Sequence, residues 1–301
     1  MKKSPPLFQV SVQTTSHAED AVSALLERLF RQSPSIYTNT DTQESIVTVY
    51  TSLTRPRILL LEQEIQQGIE TLKSFGLETG KGQLIIAKVK REDWAESWKK
   101  YFETIEIDKK LIIKPSWSKK KPLKGQVAVV LDPGLSFGTG QHPTTHFCLE
   151  QIVRCKLPDK PQSFLDVGSG SGILAISAVK LGYSPVRAFD FDPAAVKIAR
   201  ENARQNRVDS KLLPTRQDIT RLPLKGRQFD LICANLIYDL LIDQRIKLVN
   251  RLKPGGTLVL AGILATQFEQ VVQAYEAIGW QLQESATVRE WQSGRFRAKR
   301  A

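Results

Sequence analysis

Cysteine is scarce and long apolar runs are absent from this sequence of 301 residues. The odd count of three cysteines, with no Cys-x-x-Cys spacing, excludes a disulfide framework and gives no indication of a zinc site. No apolar run approaches the roughly 18 residues of a membrane span, and the first residues lack the apolar stretch of a secretory signal. We therefore expect a globular, cytoplasmic protein with no membrane association and no bound metal.

The charge balance is basic, with 43 Lys and Arg against 31 Asp and Glu and a net charge of +12. Such an excess favours encounters with polyanions, or with a protein that is itself bound to one. Most of the basic residues are dispersed, and the one local run joins Lys119, Lys120 and Lys121 to Lys124 in a predicted loop. A solvated basic surface without a partner is an equally good interpretation of this charge.

Residues 1–90 are predicted to form a small α+β domain. Alternation at Phe8, Val10 and Val12 predicts a strand, and a helix follows in which Ser16 and Glu19 have the spacing of a capping box. The later elements are a strand near 36–37, a turn at 39–41, a strand at 46–50, an amphipathic helix ending at Gly76 and a strand at 84–87. The order β-α-β-β-α-β is the ferredoxin-like arrangement, so we expect a substrate-recognition domain without catalytic residues.

Residues 91–125 are predicted to connect two domains. A helix over 91–102 places Trp94, Trp98, Tyr101 and Phe102 on one face, which favours core packing or an interdomain strut over an aromatic platform for substrate. Short strands are predicted near 111–113 and 127–131.

Residues 126–301 alternate strands and helices, which predicts a Rossmann-like, seven-stranded domain with a mostly parallel sheet. The last two strands are expected to form an antiparallel pair. The predicted strands are 164–167, 187–190, 211–213, 231–234, 257–261, 281–284 and 295–298.

A glycine-rich turn at Gly168, Gly170 and Gly172 follows the first strand of this domain and precedes a helix. Glycine is needed there because a ligand must approach the backbone more closely than a Cβ would permit. Asp190 ends the next strand, 22 residues after Gly168, where a carboxylate can accept hydrogen bonds from both ribose hydroxyls. We predict a nucleoside-binding site from these residues together with Asp166, which lies in the strand before the turn.

The glycine spacing favours S-adenosylmethionine over a dinucleotide, which prefers Gly-x-Gly-x-x-Gly, but does not prove it. Asp218, after the third strand, is placed to meet the adenine amino group, although a surface loop explains it equally well. Asp192 before Pro193 is explained as a helix N-cap. Asn235 follows the fourth strand, where its amide oxygen can hold an amine nucleophile; capping of the next helix is the alternative.

A second glycine-rich stretch, residues 132–145, precedes the sheet. It is typical of a mobile loop that closes over a ligand, and a loop without function is the alternative. His142 lies in this stretch and is the one histidine that we expect near the chemistry.

The combination of these motifs resembles PrmA, the bacterial methyltransferase family of large-subunit ribosomal protein eleven. The resemblance is carried by 132–145, 165–176, 190–193, Ala234-Asn235-Leu236, 262–264 and Glu290-Trp291. It implies that Thr145, Gly168, Asp190 and Asn235 contact S-adenosylmethionine, and that amines of the ribosomal protein, held by the N-terminal domain, are methylated. Weak contact with ribosomal RNA would fit the basic charge.

Two other functions stay open at this point. A methyltransferase of nucleic acid or of another protein would share the fold, although Asn235 is followed by Leu236-Ile237-Tyr238 and not by the Pro-Pro-aromatic tripeptide usual for exocyclic amines. A non-catalytic ribosome-binding factor with a vestigial cofactor pocket is disfavoured because Gly168, Gly170 and Asp190 are all in place.

Overall fold

The structure is a computed structural model that describes residues 7–32, 34–38, 42, 44–89, 104–132 and 142–299. The chain divides into two compact units, Met1–Phe102 and Glu103–Ala301. The predicted aromatic helix at 91–102, the turn at 39–41 and residues 133–141 of the glycine-rich loop lie outside the described residues.

The first unit contains one four-stranded sheet and two helices. Its elements are β1 (Leu7–Thr15), α1 (Glu19–Phe30), β2 (Ser35–Thr38), β3 (Glu44–Thr51), α2 (Arg55–Ser74) and β4 (Gln83–Val89). The strands lie in the order β2-β3-β1-β4 and all neighbours are antiparallel. The ferredoxin-like prediction is confirmed.

The two faces of this sheet differ in their cover. Val12 of β1 and Val47 of β3 lie opposite each other and pack with Leu26 and Ile65 of the helices in a buried core. Because side chains alternate along a strand, Ile46 of β3 belongs to the other face, and it is 36% exposed. Ile85 of β4 belongs to that outer face as well.

The capping box predicted at the start of α1 is wrong. The helix begins at Glu19 with Ala18 as its N-cap, and no side chain caps it there. The Glu19 carboxylate instead accepts hydrogen bonds from the hydroxyls of Thr38 and Ser45, so a tertiary contact replaces the local one.

The second unit holds a three-stranded and a seven-stranded sheet. Its elements are β5 (Ile105–Ile107), β6 (Leu111–Lys114), β7 (Val127–Val130), α3 (Pro143–Cys155), β8 (Phe164–Val167), α4 (Ile173–Lys180), β9 (Val186–Asp190), α5 (Pro193–Gln205), β10 (Thr215–Arg216), β11 (Phe229–Asn235), α6 (Tyr238–Asp243), α7 (Arg245–Val249), β12 (Leu252–Leu264), α8 (Ala265–Glu276), β13 (Trp280–Val288) and β14 (Trp291–Ala298). A short 3₁₀ turn covers Ile219–Arg221.

The large sheet has the order β10-β9-β8-β11-β12-β14-β13. Strands β8 to β12 pair in parallel, and β14 runs antiparallel to both of its neighbours. Apolar cores lie on both faces, one shared with α3 and α4 and the other with α6 and α8. The Rossmann-like prediction with an antiparallel C-terminal pair is confirmed.

The strand predicted at 211–213 is wrong. The amides of Lys211 and Leu212 both donate to the Val208 carbonyl, which makes this segment a turn. The edge strand β10 comes two residues later and is only two residues long. Leu212 is buried in the core at the end of this turn, so the local sequence is apolar like that of a strand.

The order of the strands reverses between β8 and β11, because the chain builds outward on one side of β8 before it returns to the other. Ligands of open α/β sheets bind at such a reversal, beyond the carboxyl ends of the strands. Among the described residues, no helix combines the length and apolarity that crossing a bilayer requires.

Candidate functional site

The carboxyl ends of β8, β9 and β11 bring three predicted residues to one edge of the sheet. Gly168 follows β8, while Asp190 and Asn235 are the last residues of β9 and β11. These strands are parallel neighbours, so residues distant in sequence meet at the point where the strand order reverses.

The backbone of the glycine turn is hydrogen-bonded to β9, and the turn packs closely against the residue that follows β11. Gly168 and Ser169 both donate N–H groups to the Phe189 carbonyl at 3.0 Å. Gly168 has φ +74°, and a Cβ there would lie 2.5 Å from Cδ2 of Leu236. At Gly172, φ is +80° and a Cβ would lie 3.1 Å from that of Ala199 in α5, so this glycine permits helix packing.

Asp190 connects the turn to the start of α5. Its Oδ2 accepts from the Gly170 N–H at 2.8 Å and its Oδ1 accepts from the Asp192 N–H at 3.0 Å. A carboxylate offers about four acceptor positions, so among the described residues two of them have no donor. Asp192 itself caps α5 by accepting from the Ala194 N–H at 2.8 Å, as predicted.

Asp166 lies beneath the turn and is fully buried. Its Oδ2 accepts from the Ala175 N–H of α4 at 3.2 Å, while Oδ1 has no hydrogen-bond partner among the described residues. Burial, together with the negative charge of Asp190, raises the pKa of Asp166 to about 7. Asp166 therefore joins the strand to the helix and does not line the surface of the site.

Asn235 is held in place by contacts with two other elements. Its Nδ2 donates to Oγ1 of Thr145 at 3.4 Å, and Thr145 is buried in the first turn of α3. On the other side Gly262 has φ +83°, and a Cβ there would lie 2.9 Å from Oδ1 of Asn235. The helix after β11 begins at Tyr238 with Ile237 as its N-cap and no side-chain cap, so Asn235 does not cap it.

His142 lies at the N-cap of α3. Its Nδ1 is 2.7 Å from Oγ1 of Thr144 and 3.4 Å from the Thr144 amide nitrogen, and its ring meets that of Trp291 edge-on at 4.9 Å. Burial lowers the pKa of His142, which favours the neutral imidazole. These contacts give the residue a structural function three residues before Thr145.

Asp218 follows Gln217, whose backbone amide donates to the Asp190 carbonyl at 2.9 Å, so the Asp218 backbone lies close to that of Asp190. The Asp218 side chain caps the 3₁₀ turn by accepting from Oγ1 and N–H of Thr220 at 2.8 and 2.9 Å. These hydrogen bonds lower the pKa of Asp218.

Sequence reasoning missed two residues at this edge. Phe191 directly follows Asp190 and is 73% exposed, so an aromatic side chain is accessible next to the Asp190 position. Gly262 lies in an irregular part of β12, where the pairing with β14 shifts register between Leu260 and Ile263. Both residues lie in stretches that carry the family resemblance, 190–193 and 262–264, but the sequence gave neither of them a role.

Together the turn, Asp190 and Phe191 offer a backbone without Cβ atoms at Gly168 and Gly170, a carboxylate and an aromatic surface, which suit a nucleoside. Asn235 adds an amide beside them. Among the described residues, no group of three or more His, Cys, Asp or Glu is placed to hold a metal ion.

Comparison with known proteins gives consistent matches. The sequence matches the family described as ribosomal protein L11 methyltransferase (PrmA) over residues 6–299. It is 33% identical to a ribosomal protein L11 methyltransferase of Caldanaerobacter subterraneus, covering 95% of this chain and 97% of the relative. A relative of that name from Bacillus cereus is 35% identical over 75% of this chain and 72% of its own length. The crystal structure of ribosomal protein L11 methylase from Lactobacillus delbrueckii superimposes with a TM-score of 0.59 at 31% identity, covering 66% of this chain and 100% of that one.

Proposed function

Since this chain belongs to the ribosomal protein L11 methyltransferase (PrmA) family, we propose that it transfers methyl groups from S-adenosylmethionine to amino groups of ribosomal protein L11. The observation that carries the proposal is the meeting of the glycine turn, Asp190 and Asn235 at the reversal point of the sheet.

The residues at this edge fit an adenosyl group. The two open acceptor positions of Asp190 suit the two ribose hydroxyls, and the exposed ring of Phe191 offers a surface on which adenine can stack. Gly168 and Gly170 let the ligand approach the backbone of the turn. We assign Asp166 to supporting that turn from below, and Thr145 to holding Asn235.

The methyl donor supplies a carbon bound to a sulfonium, and the chain must align an amine with it. An ordinary Lys amine with a pKa near 10.4 must lose a proton at a cost of roughly 4 kcal/mol at neutral pH, whereas an α-amine faces about 1 kcal/mol. Burial of either amine in the site lowers this cost because it disfavours the charged form.

We assign the orientation of that amine to Asn235. Its Nδ2 is committed to Thr145, which leaves Oδ1 to accept an N–H from the neutral amine. The nitrogen lone pair is then free to face the methyl group. No covalent intermediate with the protein is needed.

We assign recognition of the ribosomal protein to the first unit. Its described residues carry no arrangement of catalytic side chains, and the outer face of its sheet exposes Tyr37, Ile46 and Ile85. Neither described helix of this unit packs on that face, and exposed apolar side chains gathered on one sheet face are typical of a binding surface.

The cofactor assignment is tested by isothermal titration of S-adenosylmethionine into the wild-type protein and two variants. Phe191→Ala should weaken binding by about tenfold, because stacking of one base contributes about 1–3 kcal/mol. Leu224→Ala removes another exposed apolar side chain and should leave the affinity unchanged. Absence of binding to the wild-type protein would refute the assignment.

A further inference from the structure

A basic groove runs along the edge of the large sheet, between α5 and β10. Four cationic side chains line it, namely Lys197, Arg200, Arg204 and Arg216, with Glu201 as the one carboxylate among the lining residues. We call this surface the α5–β10 groove. Its Arg216 end adjoins the candidate site, since Arg216 pairs with Asp190 in the sheet and donates to the Phe191 carbonyl. Arg204 lies farther along α5.

The groove brings together basic residues that are dispersed along the sequence. Between Pro193 and Arg216 there are six Lys and Arg against two acidic residues, a far stronger excess than in the chain as a whole. Within the parts of the chain that the structure describes, none of the four cations forms an ion pair within 4.0 Å. Their charges are therefore available to a ligand.

Helix periodicity explains how these residues converge. Lys197, Arg200 and Arg204 lie at positions i, i+3 and i+7 of α5, so they share one face over about 10 Å of the helix axis. Arg216 reaches the groove from the edge strand β10. The pattern is invisible in a search for runs of basic residues, because it combines spaced helical positions with a residue from another element.

Two of the guanidinium groups are anchored at one nitrogen. Arg200 Nε donates to the Pro214 carbonyl at 2.8 Å, and Arg216 Nε donates to the Phe191 carbonyl at 3.3 Å. Anchoring at Nε leaves the two terminal nitrogens of each group to donate together. That planar pair matches the oxygens of a phosphate, and anchoring reduces the entropy lost on binding.

We propose that the α5–β10 groove binds the sugar-phosphate backbone of RNA. A row of cations in a concave surface follows an extended chain of phosphates, and it needs no contact with bases. A membrane surface is flat, so its headgroups would contact a protruding face of the protein and not a groove. RNA binding here is independent of the methyl acceptor, so it holds whether or not the acceptor is ribosomal protein L11.

The test is fluorescence anisotropy of a labelled single-stranded RNA of mixed sequence, titrated with the full chain in the absence of cofactor. One variant combines Lys197→Gln, Arg204→Gln and Arg216→Gln. A matched control combines Lys119→Gln, Lys121→Gln and Lys124→Gln, which removes the same charge from a loop outside the groove.

We expect the groove variant to weaken binding at least about tenfold, and the slope of log Kd against log salt to fall by about 2, since each lost phosphate contact removes roughly 0.7 for a single strand. The control should change Kd by less than about threefold. Equal weakening by both variants would show an effect of net charge, and weakening by neither would show that RNA does not use the groove; either result overturns the proposal.

Two further measurements complete the test. The single substitution Arg204→Glu changes one exposed side chain that forms no ion pair among the described residues, so it should keep the fold and still weaken RNA binding. Polyglutamate added as a competitor should displace the RNA poorly. If it displaces RNA as effectively as unlabelled RNA does, the groove binds acidic protein and the proposal fails.

Discussion

Asn235 is the residue on which the proposed chemistry depends most. It is held between Thr145 and Gly262, and it belongs to a strand whose other residues are largely buried. Asn235 is half-buried, so Asn235→Ala removes the amide without opening a cavity in the core. We expect the rate of methyl transfer to fall at least about a hundredfold, because a misplaced nucleophile loses the benefit of alignment.

Stability should change much less in this variant, by about 1 kcal/mol, since only one long hydrogen bond is lost. Steady-state kinetics and urea unfolding of the same preparation provide both values. Asp239→Ala, four residues on, is a suitable control because it alters an acidic residue in the first turn of α6. Full activity of Asn235→Ala would show that another group positions the amine.

Asp166 should give the stability of the protein a particular dependence on pH. Its pKa rises from 3.8 in the unfolded chain to about 7 in the native state, because burial disfavours the carboxylate. The stability associated with the protonated form is fully present below pH 3.8 and is lost as the pH rises through about 7. Asp166→Asn should remove this loss, which is on the order of a few kcal/mol.

Urea unfolding of the wild type and the variant at about pH 5 and about pH 8 measures the effect. Asp230→Asn is a control that should leave the decline between these two pH values unchanged, because the lowered pKa of Asp230 lies below them. Hydrogen bonds from Lys253 and Ser163 lower the pKa of Asp230, so its contribution is lost as the pH falls through that lowered value. A wild-type stability that does not decline between the two pH values would contradict the raised pKa of Asp166.

At the scale of elements, the end of β11 and the irregular part of β12 are built around Gly262. A Cβ at this position would lie 2.6 Å from the Leu236 carbonyl oxygen, and the backbone has φ +83°. Gly262→Ala should therefore cost more than about 2 kcal/mol of unfolding free energy and displace Asn235.

Gly255 of the same strand allows the effect of the positive φ to be separated from the effect of the close contact with Leu236. It also has a positive φ, +74°, but an added Cβ would meet nothing within 4 Å. Gly255→Ala should thus cost only the conformational strain of about 1 kcal/mol and leave activity intact. Thermal unfolding and turnover of both variants decide the point. Equal losses in the two proteins would mean that the contact with Leu236 does not matter.

The elements differ in how far the sequence specifies them. Buried strands such as β8 and β11 are mostly apolar and are followed by glycine or end on a polar residue, so their ends and the site residues there could be predicted. The edge strand β10 could not, because its two residues are set by pairing with β9. The start of α1 could not be predicted either, because the Glu19 carboxylate accepts hydrogen bonds from Thr38 and Ser45, which lie in other elements.

The site shows the same division. Asp190 and Asn235 were found because each is the polar residue at the end of an apolar strand. The exposure of Phe191, the close approach at Gly262 and the convergence of Arg216 with α5 all depend on contacts between elements. A pattern within one segment of the sequence cannot predict these three features.

At the scale of the whole molecule, the two units are expected to divide the work. Ile46→Ser combined with Ile85→Ser makes the outer face of the first unit polar without touching its core. We expect the KM for ribosomal protein L11 to rise about tenfold, in keeping with the loss of two apolar contacts. The Kd of S-adenosylmethionine should stay the same.

Leu60→Ser serves as the control, because Leu60 is 70% exposed on α2 of the same unit and does not belong to the sheet face. Initial-rate measurements over a range of L11 concentrations, with saturating cofactor, give the comparison. An unchanged KM in the double variant would assign recognition to a different surface.

The most direct test of the central claim is the mass of purified ribosomal protein L11 after incubation with this protein and S-adenosylmethionine. The account predicts that the wild-type protein increases the mass of L11 by whole methyl groups on amines, and that the Asn235→Ala variant leaves L11 almost unmodified. Unmodified L11 after incubation with wild-type protein that binds the cofactor would contradict it.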